Sequence, residues 1–341
     1  MNMKQNLDQL IDNLLNEFTP KQRRVVVGRF GLKNGERATL QSIGDELSIT
    51  RERVRQIEEQ AVKKLSKRVK EEAASIVDYA KKHLASVGGV KRDDSFIADI
   101  IQGLEIGGDI KHADQKLRFL FLVAGAPAYS KNDDDMFAYW FIDEKAKDKF
   151  LDFIKTVTNS LKSGKKEEIL NKKLYLNHMK DLTSAHLLSI PKHFGTNIFG
   201  EFGLKTWPEI EPKTIRDKVY LVLRKHDKPL HFEDIAKNIN KFGLDKKLAH
   251  VQTVHNELIK DDRFVLVGRG VYALKEKGYE AGTVRQVIAR LLKKHGPLES
   301  GTVVRLVNEQ RFLKENTILL NLQNRRFFKR LDNGRYQVHE A

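Results

Sequence analysis

The stretch Thr39–Leu65, TLQSIGDELSITRERVRQIEEQAVKKL, contains two helical patterns separated by only a few residues. Thr39 can cap the first helix, and Thr50 can cap the second. In the second helix, apolar residues recur at helical spacing and form one buried stripe. They are Val54, Ile57, Ala61 and Leu65. Two helices joined by so short a turn predict a helix-turn-helix.

Charged and amide side chains cluster on the opposite face of the second helix. Arg51, Glu52, Arg55 and Gln56 all lie within its first two turns. In a helix-turn-helix these turns enter the major groove of DNA, where arginine can pair with guanine, glutamate with cytosine and glutamine with adenine. The alternative is a solvated face of intrahelical pairs, but Arg51 and Arg55 at i,i+4 are like-charged and would cost stability. We therefore expect an external anionic partner.

Two further helices are expected upstream. Apolar residues from Leu7 to Phe18 recur at helical spacing, and Thr19-Pro20 is typical of an N-cap followed by proline at the first helical position. The helix that begins there should end at Gly31, a left-handed C-cap.

The segment FTPKQRRVVVGRFGL (Phe18–Leu32), together with Thr39–Leu65, resembles region 4 of the bacterial sigma-70-type RNA polymerase sigma factors. The match covers residues 7–68, and RERVRQIE (Arg51–Glu58) is its most diagnostic part. In that family the second helix reads the −35 promoter element, so the resemblance implies promoter-type DNA binding. The family usually has glycine where Ser48 stands, so the turn geometry is expected to be slightly altered.

The resemblance also implies a role for individual residues of the second helix. Arg51, Glu52 and Gln56 would read bases, and Arg53 and Arg55 would hold phosphates. Lys63, further along the helix, completes this candidate DNA-binding set. We recognise no aromatic-rich, promoter-melting region, so binding without strand opening is expected.

The C-terminal part of the chain contains an internal repeat. TIRDKVYLVLRKHDKPLHFEDIAKNI (Thr214–Ile239) is echoed by TVRQVIARLLKKHGPLESGTVVRLV (Thr283–Val307), and RFVLVGRGVYAL (Arg263–Leu274) by RFFKRLDNGRYQV (Arg326–Val338). Each copy predicts three helices followed by a β-hairpin, which is a winged helix.

The first copy, over residues 207–275, resembles the HARE-type helix-turn-helix family through its Pro-Leu-His-Phe and Gly-Val-Tyr elements. That winged-helix module occurs in chromatin proteins, in restriction endonucleases and in the delta subunit of bacterial RNA polymerase. The second copy is a weaker match, recognised through the first.

Polar side chains of both copies are candidates for contacts with DNA. In the first copy they are Lys246, Lys247, His250, Gln252, Thr253, Asn256, Arg263 and Arg269. In the second copy they are Arg311, Asn321, Gln323, Arg325, Arg326 and Arg335. Each of these residues alone is more simply a solubilising surface residue. The net charge of 27 − 15 = +12 over residues 212–341 favours phosphate binding by the set as a whole.

The middle of the chain is neutral, with 20 basic and 20 acidic residues between positions 76 and 211. Its first part suggests two or three helices followed by two short aromatic strands, a pattern that a degenerate winged helix fits. Tyr139, Trp140 and Phe141 are predicted to be core residues, and a stacking platform for single-stranded nucleic acid is the alternative.

The predicted fold is mainly α, a multi-domain array of helix-turn-helix and winged-helix modules with small β-hairpin wings. The predicted domains are a sigma region 4-like helix-turn-helix (1–72), a degenerate winged helix (73–142), a helical spacer (143–211), a HARE-type winged helix (212–276) and a second winged-helix-like repeat (277–341).

The composition favours a polyanionic partner and excludes several classes of protein. Basic residues exceed acidic ones by 62 − 46 = 16, and residues 1–75 carry 15 − 11 = +4 of that excess. The absence of cysteine excludes disulfides, thiolate catalysis and cysteine-based zinc sites. The longest apolar stretch, Phe119–Ala128, is far shorter than the ~20 residues of a membrane span, and the N-terminus does not resemble a signal peptide. We expect a cytoplasmic, nucleoid-associated protein that does not bind membranes.

No catalytic constellation, phosphate-binding loop or metal-ligand spacing is recognised, so we expect no enzyme, no cofactor and no metal. The predicted function is sequence-specific binding of double-stranded, promoter-like DNA in transcription regulation or initiation, with the RNA polymerase core as a further candidate partner. One alternative is an atypical sigma factor with initiation activity. The other, from a different class, is the DNA-recognition component of a restriction or defence nuclease.

Overall fold

The computed structural model describes residues 7–106, 111–172, 186–226, 228–245 and 247–339, which form two compact units. Unit 1 takes the described residues up to Thr196 together with Glu201–Leu204, and unit 2 takes Asn197–Gly200 together with those from Lys205 onward. Both are mainly helical with short antiparallel strand pairs. This confirms the predicted mainly-α array with small β-hairpin wings.

Four helices with well-defined caps begin unit 1. They are α1 (Leu7–Leu15), α2 (Pro20–Phe30), α3 (Leu40–Leu47) and α4 (Arg51–Glu72). The side chains of Thr19, Thr39 and Thr50 each accept a hydrogen bond from the backbone N–H three residues later, which confirms all three predicted N-caps. Gly31 ends α2 with a φ of 65°, the predicted left-handed C-cap.

A second group of elements follows α4 in unit 1. It comprises α5 (Ala74–Ser86), β1 (Val90–Arg92), α6 (Asp93–Gly103), α7 (Ala113–Ala124), β2 (Ala128–Ser130) and β3 (Tyr139–Phe141). Strand β3 lies between β1 and β2 and is antiparallel to both. Tyr139, Trp140 and Phe141 are 3%, 0% and 4% exposed, which confirms their prediction as core residues and contradicts the stacking platform.

One hydrophobic core joins these two groups of elements. Leu14 of α1 and Leu65 of α4 belong to the same buried cluster as Leu117 of α7. The rings of Phe30 and Phe119 meet edge to face, with 5.0 Å between their centroids. The core is therefore continuous across residue 72, where we predicted a domain boundary.

The rest of unit 1 comprises α8 (Glu144–Ser163), α9 (Lys166–Lys172), a 3-10 turn (His186–Ser189), β4 (Phe194–Thr196) and β5 (Phe202–Leu204). Phe150 of α8 packs on Tyr139 of β3, with 5.4 Å between the ring centroids.

Unit 2 begins with the elements of a winged helix. They are α10 (Ile215–Lys225), β6 (Leu230–His231), α11 (Phe232–Lys241), α12 (Val251–Lys260), β7 (Phe264–Gly268) and β8 (Val271–Leu274). The strand order β6-β8-β7 leaves β7 at one edge of the sheet.

The second repeat has the same order of elements. It comprises α13 (Val284–His295), α14 (Ser300–Gln310), α15 (Glu315–Leu322), β9 (Phe328–Arg330) and β10 (Tyr336–Val338). A bridge from Leu298 to Tyr336 of β10 takes the place of β6. The group α5 to β3 of unit 1 has this topology as well, with its last strand in the centre. That residues 73–142 and 277–341 are winged-helix copies, and where the domain boundaries lie, stay proposals.

Candidate nucleic-acid interface

The helix-turn-helix of α3 and α4 is built around a small core of its own. Val25 of α2, Ile43 of α3 and Val54 and Ile57 of α4 form one buried cluster. The turn is tight, because a Cβ atom on Gly44 would lie 2.7 Å from the carbonyl oxygen of Ile49. The close approach predicted at Gly44 is therefore present.

Two ion pairs brace this arrangement from α2. Arg24 Nε donates to Glu46 of α3 at 2.6 Å, and Arg29 Nε donates to Glu58 of α4 at 2.8 Å. Arg29 also donates to the carbonyl of Ala38, just before α3. These contacts orient α3 and α4 with respect to α2, and sequence reasoning missed them.

The first two turns of α4 present the predicted face to solvent. Arg51, Glu52, Arg53 and Arg55 are exposed and Gln56 is half-exposed, while the predicted stripe through Val54 is buried. The α4 N-terminus is the helix end that a helix-turn-helix directs at base edges.

Part of this face is paired within the helix. Arg55 lies 2.7 Å from a carboxylate oxygen of Glu52 and also pairs with Glu59. The hydrogen bond with Arg55 holds the pKa of Glu52 below its usual value, and the same bond raises the pKa of Arg55. Arg53 donates to Gln56 Oε1 at 3.2 Å. Like-charge repulsion from Arg55 was our argument for an external anion, and these glutamates remove its force.

Lys63 is exposed but lies apart from this face. Twelve residues separate it from Arg51, which corresponds to roughly 18 Å along the helix axis. It can reach a backbone phosphate, but not the base pairs that the first two turns face.

In the first winged helix, two amides share one face of α12. Gln252 Nε2 donates to Asn256 Oδ1 at 3.1 Å, and both side chains are exposed, as is Lys247 before the helix. Lys246 lies outside the described residues. Sequence reasoning missed that Leu248 and Ile259 are 77% and 65% exposed around this face.

The wing residues of this module differ in their surroundings. Arg269 is exposed at the turn between β7 and β8. The guanidinium of Arg263 is bonded to Asp261 at 2.7 Å and lies over the ring of Tyr220, 5.0 Å from its centroid. The bond with Arg263 lowers the pKa of Asp261, so Arg263 is already charge-paired in the free protein.

In the second repeat, Arg325, Arg326 and Arg335 are exposed around β9 and β10. The prediction that Arg311 belongs to the same exposed strip is wrong. Arg311 is 4% exposed, and its guanidinium donates to the backbone carbonyls of Leu266, Glu280 and Gly282. A buried guanidinium that is saturated with intramolecular acceptors does not face DNA.

In the part of the chain that the structure describes, no three histidine, aspartate or glutamate side chains gather into a metal-ligand set. Over the same residues, every helix is too short or too polar to cross a membrane.

Two segments of the chain match families of known proteins. Residues 14–67 match the model of Sigma-70, region 4. Residues 213–276 match the model of the HARE helix-turn-helix, a domain whose description names ASXL and restriction endonucleases.

Similar proteins align with the N-terminal segment. The chain is 47% identical over 58 residues to the RNA polymerase sigma factor SigA of Clostridium acetobutylicum, a stretch that covers 17% of this chain and 15% of that protein. It is 45% identical over 64 residues to the sigma factor RpoD of Helicobacter pylori, covering 18% of this chain and 10% of that protein. It is 50% identical over 56 residues to the RNA polymerase sigma-B factor of a Nostoc species, covering 16% and 17%.

The chain thus spans less than a fifth of the length of these relatives. The similarity concerns individual modules. As predicted, the chain joins a segment similar to sigma-70 region 4 to a segment similar to the HARE helix-turn-helix.

Proposed function

We propose that this protein is a transcription regulator that binds double-stranded, promoter-like DNA and recognises a −35-like element through α4. The observation that carries this proposal is the exposed polar face on the first two turns of α4. That face belongs to a helix-turn-helix in a segment similar to sigma-70 region 4. It combines residue types that discriminate bases with residue types that bind phosphate.

The residues of this face divide into two roles. Arg51, Glu52 and Gln56 contact base edges, and Arg53, Arg55 and Lys63 hold phosphates. Two contacts must be exchanged on binding, because Gln56 is bonded to Arg53 and Arg55 to Glu52 in the free protein. Both bonds are exposed, so their loss costs little in water.

Unit 2 contributes mainly affinity for the phosphate backbone. The phosphate contacts in this proposal are Lys246, Lys247, Arg263, Arg269, Arg325, Arg326 and Arg335. Gln252 and Asn256 lie on the third helix of a winged helix and can reach bases. The net charge of +12 over residues 212–341 supports an electrostatic role.

The RNA polymerase core is the second proposed partner. The matched relatives are named as RNA polymerase sigma factors, which supports docking of this module on the polymerase. We further propose that the protein is not an enzyme and acts in the cytoplasm at the nucleoid.

Selection of binding sites from randomised duplexes tests the role of α4. We expect Gln56→Ala in the full chain to relax the preference at one or two base pairs, at a cost of about 1–3 kcal/mol for those sites. Gln60→Ala removes an exposed amide one turn further along α4 and should leave the selected motif unchanged. An unaltered motif for Gln56→Ala would show that this face does not read bases.

A second candidate function is DNA recognition within a restriction or defence nuclease, since the matched HARE description names restriction endonucleases. The proposed regulator should neither nick duplex DNA with Mg²⁺ nor hydrolyse nucleotides. Glu209 and Glu211, beside Lys213, are the acidic residues nearest to a nuclease-like cluster in the sequence. Reproducible cleavage that Glu211→Ala abolishes would favour the nuclease.

A further inference from the structure

Arg311 lies between α14 and α15 and reaches out of its own module. Its Nη2 atom donates to the carbonyl of Glu280 at 2.7 Å and to that of Gly282 at 2.8 Å. Its Nη1 atom donates to the carbonyl of Leu266 in β7 of the preceding winged helix. One buried side chain therefore joins the second repeat, the linker and the wing of the first.

The next residue extends the same junction. The backbone N–H of Phe312 donates to the carbonyl of Val267 at 3.0 Å, so the loop after α14 bonds to the edge strand β7. A Cβ atom on Gly268 would lie 3.0 Å from the carbonyl oxygen of Phe312. The absence of a side chain at Gly268 permits this close approach.

The linker is held from the other side by α13. Arg290 Nε lies 2.9 Å from a carboxylate oxygen of Glu280, and its Nη1 atom donates to the carbonyl of Ala281 at 3.1 Å. Residues 280–282 are thus fixed by Arg290 and Arg311 together. A linker bonded at this density does not act as a flexible tether.

We propose that Arg311 is a positioning residue that holds the two C-terminal modules in one fixed arrangement, so that α12 and α15 meet duplex DNA at a single spacing. The DNA part of this inference rests on the proposed function of unit 2. The physical basis is that a guanidinium removed from water requires all of its acceptors. Separation of the modules would break the three carbonyl bonds together. A fixed arrangement also raises the effective concentration of the second module once the first is bound.

Distance measurement between spin labels tests the arrangement without DNA. The chain has no cysteine, so labels can be placed at Lys237→Cys in α11 and Lys294→Cys in α13, both exposed. We expect a narrow distance distribution in the full chain and a broad one after Arg311→Met. Arg305→Met removes an exposed arginine of α14 and should leave the distribution narrow. A broad distribution in the parent chain, or a narrow one in Arg311→Met, overturns the proposal.

A second variant reaches the junction from the opposite side. Gly268→Val places a branched side chain against the Phe312 carbonyl and leaves Arg311 itself in place. It should broaden the same distance distribution, which keeps the proposal testable if Arg311→Met does not fold. An unchanged distribution in Gly268→Val contradicts the junction.

Duplexes with two half-sites at varied separations test the consequence for binding. Full-length Arg311→Met should lose about tenfold in affinity for the preferred separation, because the second contact becomes a tethered one, and should accept neighbouring separations. The preferred half-site sequences should not change. An unchanged dependence on separation, together with a broadened label distance, would show that the junction has no role in binding. If the parent chain does not bind DNA at all, the proposed function fails and the label distances still decide the clamp.

Discussion

At the residue scale, the face of α4 is organised by ion pairs before any partner is bound. Arg55 pairs with Glu52 and Glu59, and all three side chains are about half exposed. Exposed pairs of this kind contribute little to stability, because water screens them and ordering the side chains costs entropy. Their effect is to hold Glu52 and Arg55 in place, and Arg55 can exchange a carboxylate for a phosphate at little cost.

Arg55→Ala should weaken binding to all duplex sequences to a similar extent. Loss of one phosphate contact should reduce the slope of log K against log salt by about 1. Titration of a preferred and a scrambled duplex at several salt concentrations measures this slope. Lys67→Ala, roughly 24 Å along the helix from Arg51, is the matched control and should change neither quantity. A changed sequence preference in Arg55→Ala would make Arg55 a base reader.

At the scale of the element, the turn between α3 and α4 contains one residue in an unfavourable conformation. Ser48 has φ 54° and ψ 45°, the left-handed region in which an L side chain is strained. The neighbouring Gly44 is required for a different reason, since a Cβ atom there would press against the backbone of Ile49. Ser48 therefore tolerates glycine, whereas Gly44 does not tolerate a side chain.

Ser48→Gly should stabilise the protein by up to about 1 kcal/mol, because relief of the left-handed strain is partly offset by the greater entropy of glycine in the unfolded chain. Gly44→Ala should destabilise it by more than about 1 kcal/mol, as expected for overpacking against backbone. Denaturant unfolding of the full chain measures both changes. Destabilisation by Ser48→Gly would mean that the serine side chain contributes more than its strain costs.

At the scale of the whole molecule, the sigma-like helices do not have a core to themselves. Lys116 of α7 is buried and bonds to Asp8 of α1, and Phe119 of α7 packs on Phe30 of α2. The apolar side of α1, α2 and α4 is covered by α7 of the same unit. A cut at residue 72 would expose that side to water.

A fragment of residues 1–72 should therefore be less stable than a fragment of residues 1–204, which retains all of unit 1. Burial of a single large apolar side chain contributes about 1.5–3 kcal/mol, so the loss of the α7 contacts should dominate the difference. We expect residues 1–72 to unfold at lower denaturant concentration and to bind an apolar dye. Equal unfolding midpoints would show that the helix-turn-helix is a self-sufficient domain.

The local structure of this protein could be predicted from its sequence because the rules that govern it act over three or four residues. The caps at Thr19, Thr39 and Thr50 follow from side chains that reach the N–H three positions later. The buried stripe through Val54 and the exposed face through Gln56 follow from helical periodicity alone. The two modules that resemble known families were recognisable for the same reason, since each match depends on such local patterns.

The contacts between modules were decided only by the tertiary structure. Arg311 is 45 residues from Leu266 in the chain, and no local pattern distinguishes it from the exposed arginines 325 and 326. The core shared by α4 and α7 likewise joins residues far apart in sequence. A side chain's chemistry states which partners it can accept, but the distance to those partners depends on how the whole chain packs. For that reason composition and periodicity located the candidate reading face of α4, whereas only the folded chain revealed that Arg311 is a structural contact.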